Sequence, residues 1–425
     1  MNVVMTLPVA TINYRARIAV LLPALQMAYF VLIWPLVYAR GIQTADLVTA
    51  PVETQSFLLN RLFFPAMAAL AIVILVAERH RLAHFRIGAG LLVAGFLAYL
   101  GVSFIWALAP GTSMSKFALL AMQIIALVPA VLLAPRTEDI IRPMFWVMAL
   151  TVLVNMLAVI ALPATPIGHA GIYSHKNTLG AMMALSGFFA FYGITRGNYR
   201  LRLAGFLMIP LVLIELYVSQ SKTSLGLFLM VPLLAWLAIM LRRYARISLP
   251  ILLVIIAIPG ALILSGILPG FTFEDVSTIV SGDATFTGRT ELWDFALAYI
   301  AERPIQGYGY QSFWDIGAAG PASKMPDGFL QRAPHAHNGY LDLLLQGGII
   351  AIALFTILLG MVCYWIDRVT DKDAGLGYFI TAVMIYLLLV NLLETVWMKN
   401  LSELSTLTML FVLLAALAPK GRSQI

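Results

Sequence analysis

The sequence predicts an all-α polytopic membrane protein with about twelve transmembrane helices. The chain is 61% hydrophobic and only 11% charged, with a mean hydropathy of +0.92, whereas soluble chains carry roughly a quarter charged residues. The apolar residues form runs of roughly 17 to 25, the length that an α-helix needs to cross a hydrocarbon core about 30 Å thick. Lipid offers the backbone no hydrogen bonds, so these runs must be helical. The sequence lacks the alternating segments of about ten residues that are typical of outer-membrane barrels.

The apolar runs are spread over the whole chain, and we interpret residues 1–425 as a single membrane domain. The first run is too long for a signal peptide and has no small-residue cleavage site, so we predict an uncleaved first helix. The predicted transmembrane helices lie at about 18–38, 57–77, 87–107, 116–134, 144–162, 177–194, 203–219, 224–241, 247–268, 338–366, 376–393 and 401–418.

The basic residues lie mainly in the short connections between the predicted helices, and every connection on the side of the termini is basic. By the positive-inside rule, the termini are therefore cytoplasmic. The opposite side faces the periplasm if the chain lies in a bacterial inner membrane. Its short connections contain Arg40, Arg61, Lys116, Lys176, Lys222 and Lys399.

One periplasmic connection, from about 269 to 337, is much longer than an ordinary loop. It is rich in Trp, Tyr and Phe, a composition that favours an ordered segment. Within it, residues 288–303 place Leu292, Phe295 and Tyr299 at helical spacing, which predicts an amphipathic helix on the membrane surface.

Two histidines, His335 and His337, lead from this loop into the tenth predicted helix. The positive end of a helix dipole disfavours a protonated imidazole, so His337 is placed like a general base. Two alternatives stay open. His337 could serve only to start the helix, or the two histidines could bind zinc with Asp342 or Asp327.

Three cations on the periplasmic side are candidates for binding a diphosphate: Arg289, Lys222 and Lys176. A transferase that releases a lipid pyrophosphate must stabilise charge on phosphate oxygens, and such side chains can do so. The alternative is that they contact lipid headgroups. Glu215 lies inside the seventh predicted helix, where we expect it to pair with Lys222 or another cation, or to contact substrate.

Other polar and aromatic residues on this side are candidates for substrate contact or structural support. Glu394 and Lys399 at the outer end of the eleventh helix present the same alternatives as Glu215. Aromatic rings of the long loop offer stacking faces for sugars, or anchor the loop at the membrane interface. The further candidates are His335, Asn338, Asn177, Trp293 and Tyr308.

Three segments give the chain a resemblance to a known family. They are SHKNTLGAMMAL at 174–185, GRTELWDFALAYIAERPIQGYGYQSFW at 288–314 and AHNGYLDLLLQGGIIAI at 336–352. The ordered set resembles the O-antigen ligase and polysaccharide polymerase superfamily of membrane glycosyltransferases, and closest in look are its exopolysaccharide polymerases. The layout of about twelve helices with one large periplasmic loop also resembles this family, whose fold is similar to the GT-C class.

The resemblance implies a metal-independent, inverting transfer of an oligosaccharide from undecaprenyl pyrophosphate to an acceptor hydroxyl, with no cofactor. It implies that His337 is the base and that Arg289 holds the pyrophosphate. Ligases of the family usually have an arginine where this chain has Lys222, which favours a polymerase. The implied partners are the lipid-linked oligosaccharide, an acceptor glycan or glycolipid, membrane lipids and other polysaccharide assembly proteins, but no nucleic acid.

Two other functions compete with a polymerase. A ligase would transfer finished polymer to the lipid A core. A transporter or flippase would instead be expected to carry charged groups along its helices and paired broken helices at the midplane. The polar candidates here gather on one face, which favours a transferase.

Overall fold

The computed structural model describes residues 14–39, 58–80, 87–252, 289–325, 330–331 and 333–418. The described residues are helical with connecting turns and contain no strand, only one isolated bridge between Thr165 and Gly168. The helices are α1 Tyr14–Ala28, α2 Leu58–Ala77, α3 Ile87–Val102, α4 Pro110–Leu133, α5 Thr137–Ala161, α6 Lys176–Arg196, α7 Tyr199–Ser219, α8 Lys222–Ala245, α9 Arg289–Glu302, α10 Gly339–Lys372, α11 Ala374–Val390 and α12 Glu403–Leu417.

The predicted fold class is confirmed. Within the described ranges, nine helical segments are long and apolar enough to cross a membrane, and the first of them extends α1 through π-type turns to Val37. The predicted eleventh and twelfth spans correspond to the shorter apolar helices α11 and α12. The predicted span at 247–268 lies mostly outside the described residues.

On the face where α6 and α10 end, ion pairs join the helix ends. Arg196 donates to Glu138 at 3.1 Å and also pairs with Asp373, which links α6, α5 and the start of α11. Arg242 likewise joins α8 to Asp367 of α10 at 3.0 Å. The opposite face, where α6, α8 and α10 begin, carries the candidate site and is called the site face below.

The helix predicted at 288–303 is confirmed as α9, Arg289–Glu302. Its apolar face does not stand free, because Leu292, Trp293 and Ala296 are buried against the rest of the long loop. These residues form a small aromatic core of their own with Tyr308 and Phe313. The described part of the long loop, from Arg289 onward, is therefore packed around this core on the site face.

A break in α10 receives this part of the loop. Gly348 has φ 60° and ψ −160°, a region that only glycine adopts without strain. The interruption leaves backbone groups of α10 that bond to the loop. The carbonyl of Leu345 accepts from the amide of Tyr308 at 2.7 Å, and the amide of Ile349 donates to the carbonyl of Pro304 at 2.8 Å. The GG of the sequence motif LLLQGGIIAI thus creates the place where the loop docks.

We expect Gly348→Ala to destabilise the protein by about 1–3 kcal/mol or more, since a side chain is strained at this φ and its Cβ would meet the carbonyl of Ile305. The measurement is the apparent unfolding temperature of the purified protein in detergent. Gly360→Ala is the matched control, because Gly360 lies in the same helix with open space around its Cα. An equal unfolding temperature for both variants would contradict the docking role of the break.

Candidate active site

His337 lies immediately before α10 in a constrained backbone. Its φ is 49°, which turns the chain sharply before Asn338 caps the helix. The Asn338 side-chain oxygen accepts from the amides of Tyr340 and Leu341 at 3.0 and 3.1 Å, and its amide nitrogen donates to Leu392 at 3.3 Å. The imidazole is therefore carried by a turn that is fixed on both sides.

His337, Glu394 and Arg289 form one contiguous cluster. Nδ1 of His337 lies 3.0 Å from one oxygen of Glu394, and the Arg289 guanidinium donates to the other oxygen at 3.0 Å. A carboxylate beside Nδ1 selects the tautomer in which Nδ1 carries the proton, so Nε2 is left as an acceptor. The imidazole is about one quarter exposed, which leaves it reachable by a ligand.

Burial and the neighbouring charges together set the ionisation states of this cluster. Burial acts to raise the pKa of Glu394, but the hydrogen bond and charge of His337 and the charges of Arg289 and Lys399 outweigh it, so its pKa lies below the ordinary value. Burial lowers the pKa of His335 well below its usual value, and Lys399 and the neighbouring cations lower it further. The site thus combines an ionised carboxylate with a neutral second histidine.

Asp342 holds the surrounding segments together. Its carboxylate is buried and accepts from the Trp314 indole at 2.7 Å and from the amide of Ala336 at 3.1 Å, and it also accepts from the Thr395 hydroxyl. These donors already occupy both of its oxygens. These contacts favour a structural role for Asp342 over the alternative in which it completes a zinc site with the histidines, and Asp327 lies outside the described residues.

A different group of three could hold a metal ion. Ligand atoms of His335, His337 and Glu394 all lie within 4.8 Å of one another. However, Nδ1 of His335 accepts from the amide of His337 at 3.2 Å, and Glu394 already binds Arg289. A guanidinium on the same carboxylate opposes a divalent cation, so the arrangement suits an anion better than a metal.

Lys399 places a second cation beside the cluster. Its charge interacts with those of Glu394, Asp342 and Glu403, and burial lowers its pKa against the pull of these carboxylates. No hydrogen bond of its ammonium group is recorded within the described ranges. Arg289 and Lys399 therefore both act electrostatically on the carboxylate that orients His337.

The two lysines predicted from the sequence lie elsewhere. Lys176 begins α6 and donates to the carbonyl of Ile167 at 2.8 Å, which fastens the preceding loop. Lys222 is exposed in the first turn of α8, and no contact that joins it to the cluster is found among the described residues. His175 caps α6 by accepting from the amide of Asn177 at 3.2 Å.

Glu215 is fully buried in α7, and neither carboxylate oxygen has a hydrogen-bond partner among the described residues. The predicted pairing with Lys222 is not among the described ion pairs. The structure gives us no function for this carboxyl group.

The aromatic residues of the loop pack beside the segment that carries His337. Trp293 is buried, and its indole donates to the carbonyl of Ala336 at 2.9 Å, directly beside His337. Tyr308 is buried and its hydroxyl donates to Tyr299 at 2.8 Å. Of the two roles predicted for Trp293 and Tyr308, the structure favours support over stacking on a sugar, because their rings lie in the loop core.

Sequence analysis named Glu394 only as a candidate for pairing or substrate contact and did not place it beside His337 and Arg289. It lies 57 residues after His337 and 105 after Arg289, in the connection between α11 and α12. The one available signal was an acidic residue at the end of an apolar run, where ionisable groups usually face a partner. Sequence alone cannot show that its partners are His337 and Arg289.

The part of the chain around this cluster is similar to known proteins. A family model described as O-antigen ligase matches residues 206–356. The chain is also 34% identical over 80 residues to the exopolysaccharide production protein ExoQ of Rhizobium meliloti (strain 1021). That alignment covers 18% of this chain and 18% of the relative.

The resemblance to the O-antigen ligase superfamily is confirmed. The part matched to O-antigen ligase contains His337, Arg289 and the break at Gly348. Glu394 and Lys399 lie beyond it, so the structure adds the carboxylate and the second cation to the O-antigen ligase region. Together these findings describe a multi-pass membrane protein with its polar cluster on one face.

Proposed function

We propose that this protein is a membrane glycosyltransferase of the polysaccharide polymerase type, which moves an oligosaccharide from undecaprenyl pyrophosphate to a sugar hydroxyl at the periplasmic face. The observation that carries the proposal is the contact of His337 with Glu394, which is itself paired with Arg289. A proton acceptor and an anion-binding cation meet there at the ends of membrane-length helices.

The arrangement can perform the transfer in one displacement. Nε2 of His337 takes the proton of the acceptor hydroxyl while its oxygen attacks the anomeric carbon of the donor. The bond from that carbon to the diphosphate oxygen breaks, the configuration inverts, and the lipid diphosphate departs. Glu394 accepts the hydrogen bond from Nδ1–H and stabilises the imidazolium that forms, as a carboxylate beside a catalytic histidine does.

Two cations are placed to bind the leaving diphosphate. Arg289 can present its guanidinium to phosphate oxygens, and Lys399 adds a point charge. We assign Lys399 the part that the sequence suggested for Lys222, because Lys399 interacts electrostatically with Glu394 and Lys222 is exposed on another helix. Negative charge that develops on the diphosphate is then stabilised where the bond breaks.

The name of the relative supports a polymerase, since that protein is called an exopolysaccharide production protein. The description of the family model keeps O-antigen ligase as the alternative, with polymer transferred to lipid A core. A transporter or flippase is the weaker alternative, because the described charged cluster gathers at one end of the helices. Both termini are then cytoplasmic in the inner membrane, the site is periplasmic, and other polysaccharide assembly proteins are candidate partners.

His337→Ala should reduce transfer by at least about 100-fold, since a positioned general base contributes 10²–10⁴-fold.

Glu394→Gln should lower the rate with a smaller effect on the KM of the donor, because it removes the charge that orients the base. The measurement is product mass from purified protein reconstituted with a defined undecaprenyl pyrophosphate oligosaccharide.

The same assay is run with and without a chelator, and membrane insertion of each variant is checked in parallel. Activity that persists in chelator supports a transfer that needs no metal ion bound to His335, His337 and Glu394. Normal polymer from His337→Ala would remove the base assignment. Absence of any turnover by the wild-type protein would remove the transferase proposal itself.

Lys399→Ala should weaken the apparent affinity for the lipid-linked donor by about tenfold or more, since it removes a cation beside the leaving group. Lys222→Ala is the matched comparison, because it removes the same charge from the exposed end of α8. A larger effect of Lys222→Ala on the KM of the donor would return the diphosphate role to Lys222.

A strain that lacks the gene should accumulate single lipid-linked repeats, because a polymerase joins repeats to one another. The measurement is the size distribution of undecaprenyl-linked glycan, with a complemented strain as control. Long lipid-linked polymer that fails to reach lipid A core would instead identify a ligase.

A further inference from the structure

A cavity of about 160 Å³ opens on the site face, between the outer end of α1 and the starts of α6 and α12. Nothing in the proposed proton and diphosphate chemistry uses this space.

The cavity adjoins the cluster along two chain segments. Ser174 lines it, and the next residue, His175, lies close enough to Glu394 and His337 for their charges to act on its pKa, which burial lowers. On the other side, Glu403 lines the cavity and interacts electrostatically with Lys399. The cavity thus adjoins the cluster through the residue that follows Ser174 and through Glu403, which interacts with Lys399.

The lining is amphipathic. Rings come from Phe30, Trp34 and Tyr173, and polar groups come from Ser174, Thr178 and Glu403. The remaining lining residues are Pro35, Met182 and Leu401. Aromatic faces with a few hydroxyl and carboxylate groups match the two sides of a sugar ring, which has apolar C–H faces and a polar edge.

The carboxylate of Glu403 decides between candidate occupants. A polyprenyl tail in this cavity would desolvate the carboxylate without giving it a donor, which is costly. A diphosphate would place two negative charges against it. An uncharged sugar supplies hydroxyl donors to the carboxylate and costs neither.

We propose that this cavity is the acceptor subsite, in which an uncharged sugar residue of the acceptor glycan packs on the aromatic rings and donates hydroxyl hydrogen bonds to Glu403. The inference rests on the proposed function, because only a transferase has an acceptor. The subsite holds the attacking sugar beside His337, while the lipid diphosphate occupies the cationic side.

Binding can be tested without turnover. The probe is the oligosaccharide released by mild acid from the host's own lipid-linked repeats, and the measurement is saturation-transfer NMR on the full-length protein in detergent. Trp34→Ala should reduce the transfer signal at least fivefold, Glu403→Gln should weaken it, and Trp34→Phe should retain most of it because the ring remains. Thr178→Val, at a more exposed position, serves if Trp34→Ala folds poorly.

Trp236→Ala is the matched control, because Trp236 is an exposed tryptophan of α8 away from the cavity, and its signal should equal that of the wild-type protein. The inference is overturned if the wild-type protein gives no signal, if the cavity variants bind normally, or if a short polyprenyl phosphate displaces the oligosaccharide. The reconstitution assay reports separately on the proposed function. Turnover that is insensitive to Trp34→Ala defeats only the subsite. Sugar binding at the cavity without any turnover defeats the transferase and leaves a sugar-binding site that is not an acceptor subsite.

Discussion

The site depends on the hydrogen bonds that the buried carboxylate of Asp342 accepts. It accepts hydrogen bonds from three segments that are far apart in sequence: the aromatic loop through Trp314, the turn that carries His337 through Ala336, and the connection after α11 through Thr395. An unpaired buried carboxylate would be costly, so the three donors must arrive together. That requirement fixes the position of His337 relative to Glu394.

The two ends of the helix layer use charge in different ways. On one end, Arg196 and Arg242 neutralise acidic residues of neighbouring helices and fasten them together. On the site face, Glu394 is shared between Arg289 and His337, and Lys399 lies near it without a recorded hydrogen bond from its ammonium in the described part of the chain. Ion pairs thus join neighbouring helices at one end, whereas at the other they bring a histidine, a carboxylate and an arginine into one cluster.

The sequence was sufficient for the helical class, for α9 and for the segment that carries His337, because apolar run length and helical spacing are local properties. It was insufficient for Glu394, whose role depends on a contact across 57 residues. It also missed the brevity of α11 and α12. At 17 and 15 residues they reach only about 25 and 22 Å, so the connection that carries Glu394 and Lys399 is longer than the apolar pattern suggested.

The loop aromatics show a second limit of sequence reasoning. A run of Trp, Tyr and Phe predicts order, but it does not distinguish a ring that faces a ligand from one that fills a core. Trp293 and Phe313 fill the core of the loop. The rings that line the open cavity include Trp34 and Tyr173, which lie outside the loop.

The break at Gly348 has a consequence for biosynthesis. The backbone amide of Tyr308 finds its acceptor at Leu345, and the turn before α10 finds part of its support at Asn391, whose carbonyl accepts from Gly339 at 2.8 Å. In each case the partner leaves the ribosome later than the segment it holds. A nascent chain that ends before the connection between α11 and α12 therefore lacks the contacts that organise His337, and the turn that carries His337 is fixed only after this connection has been translated.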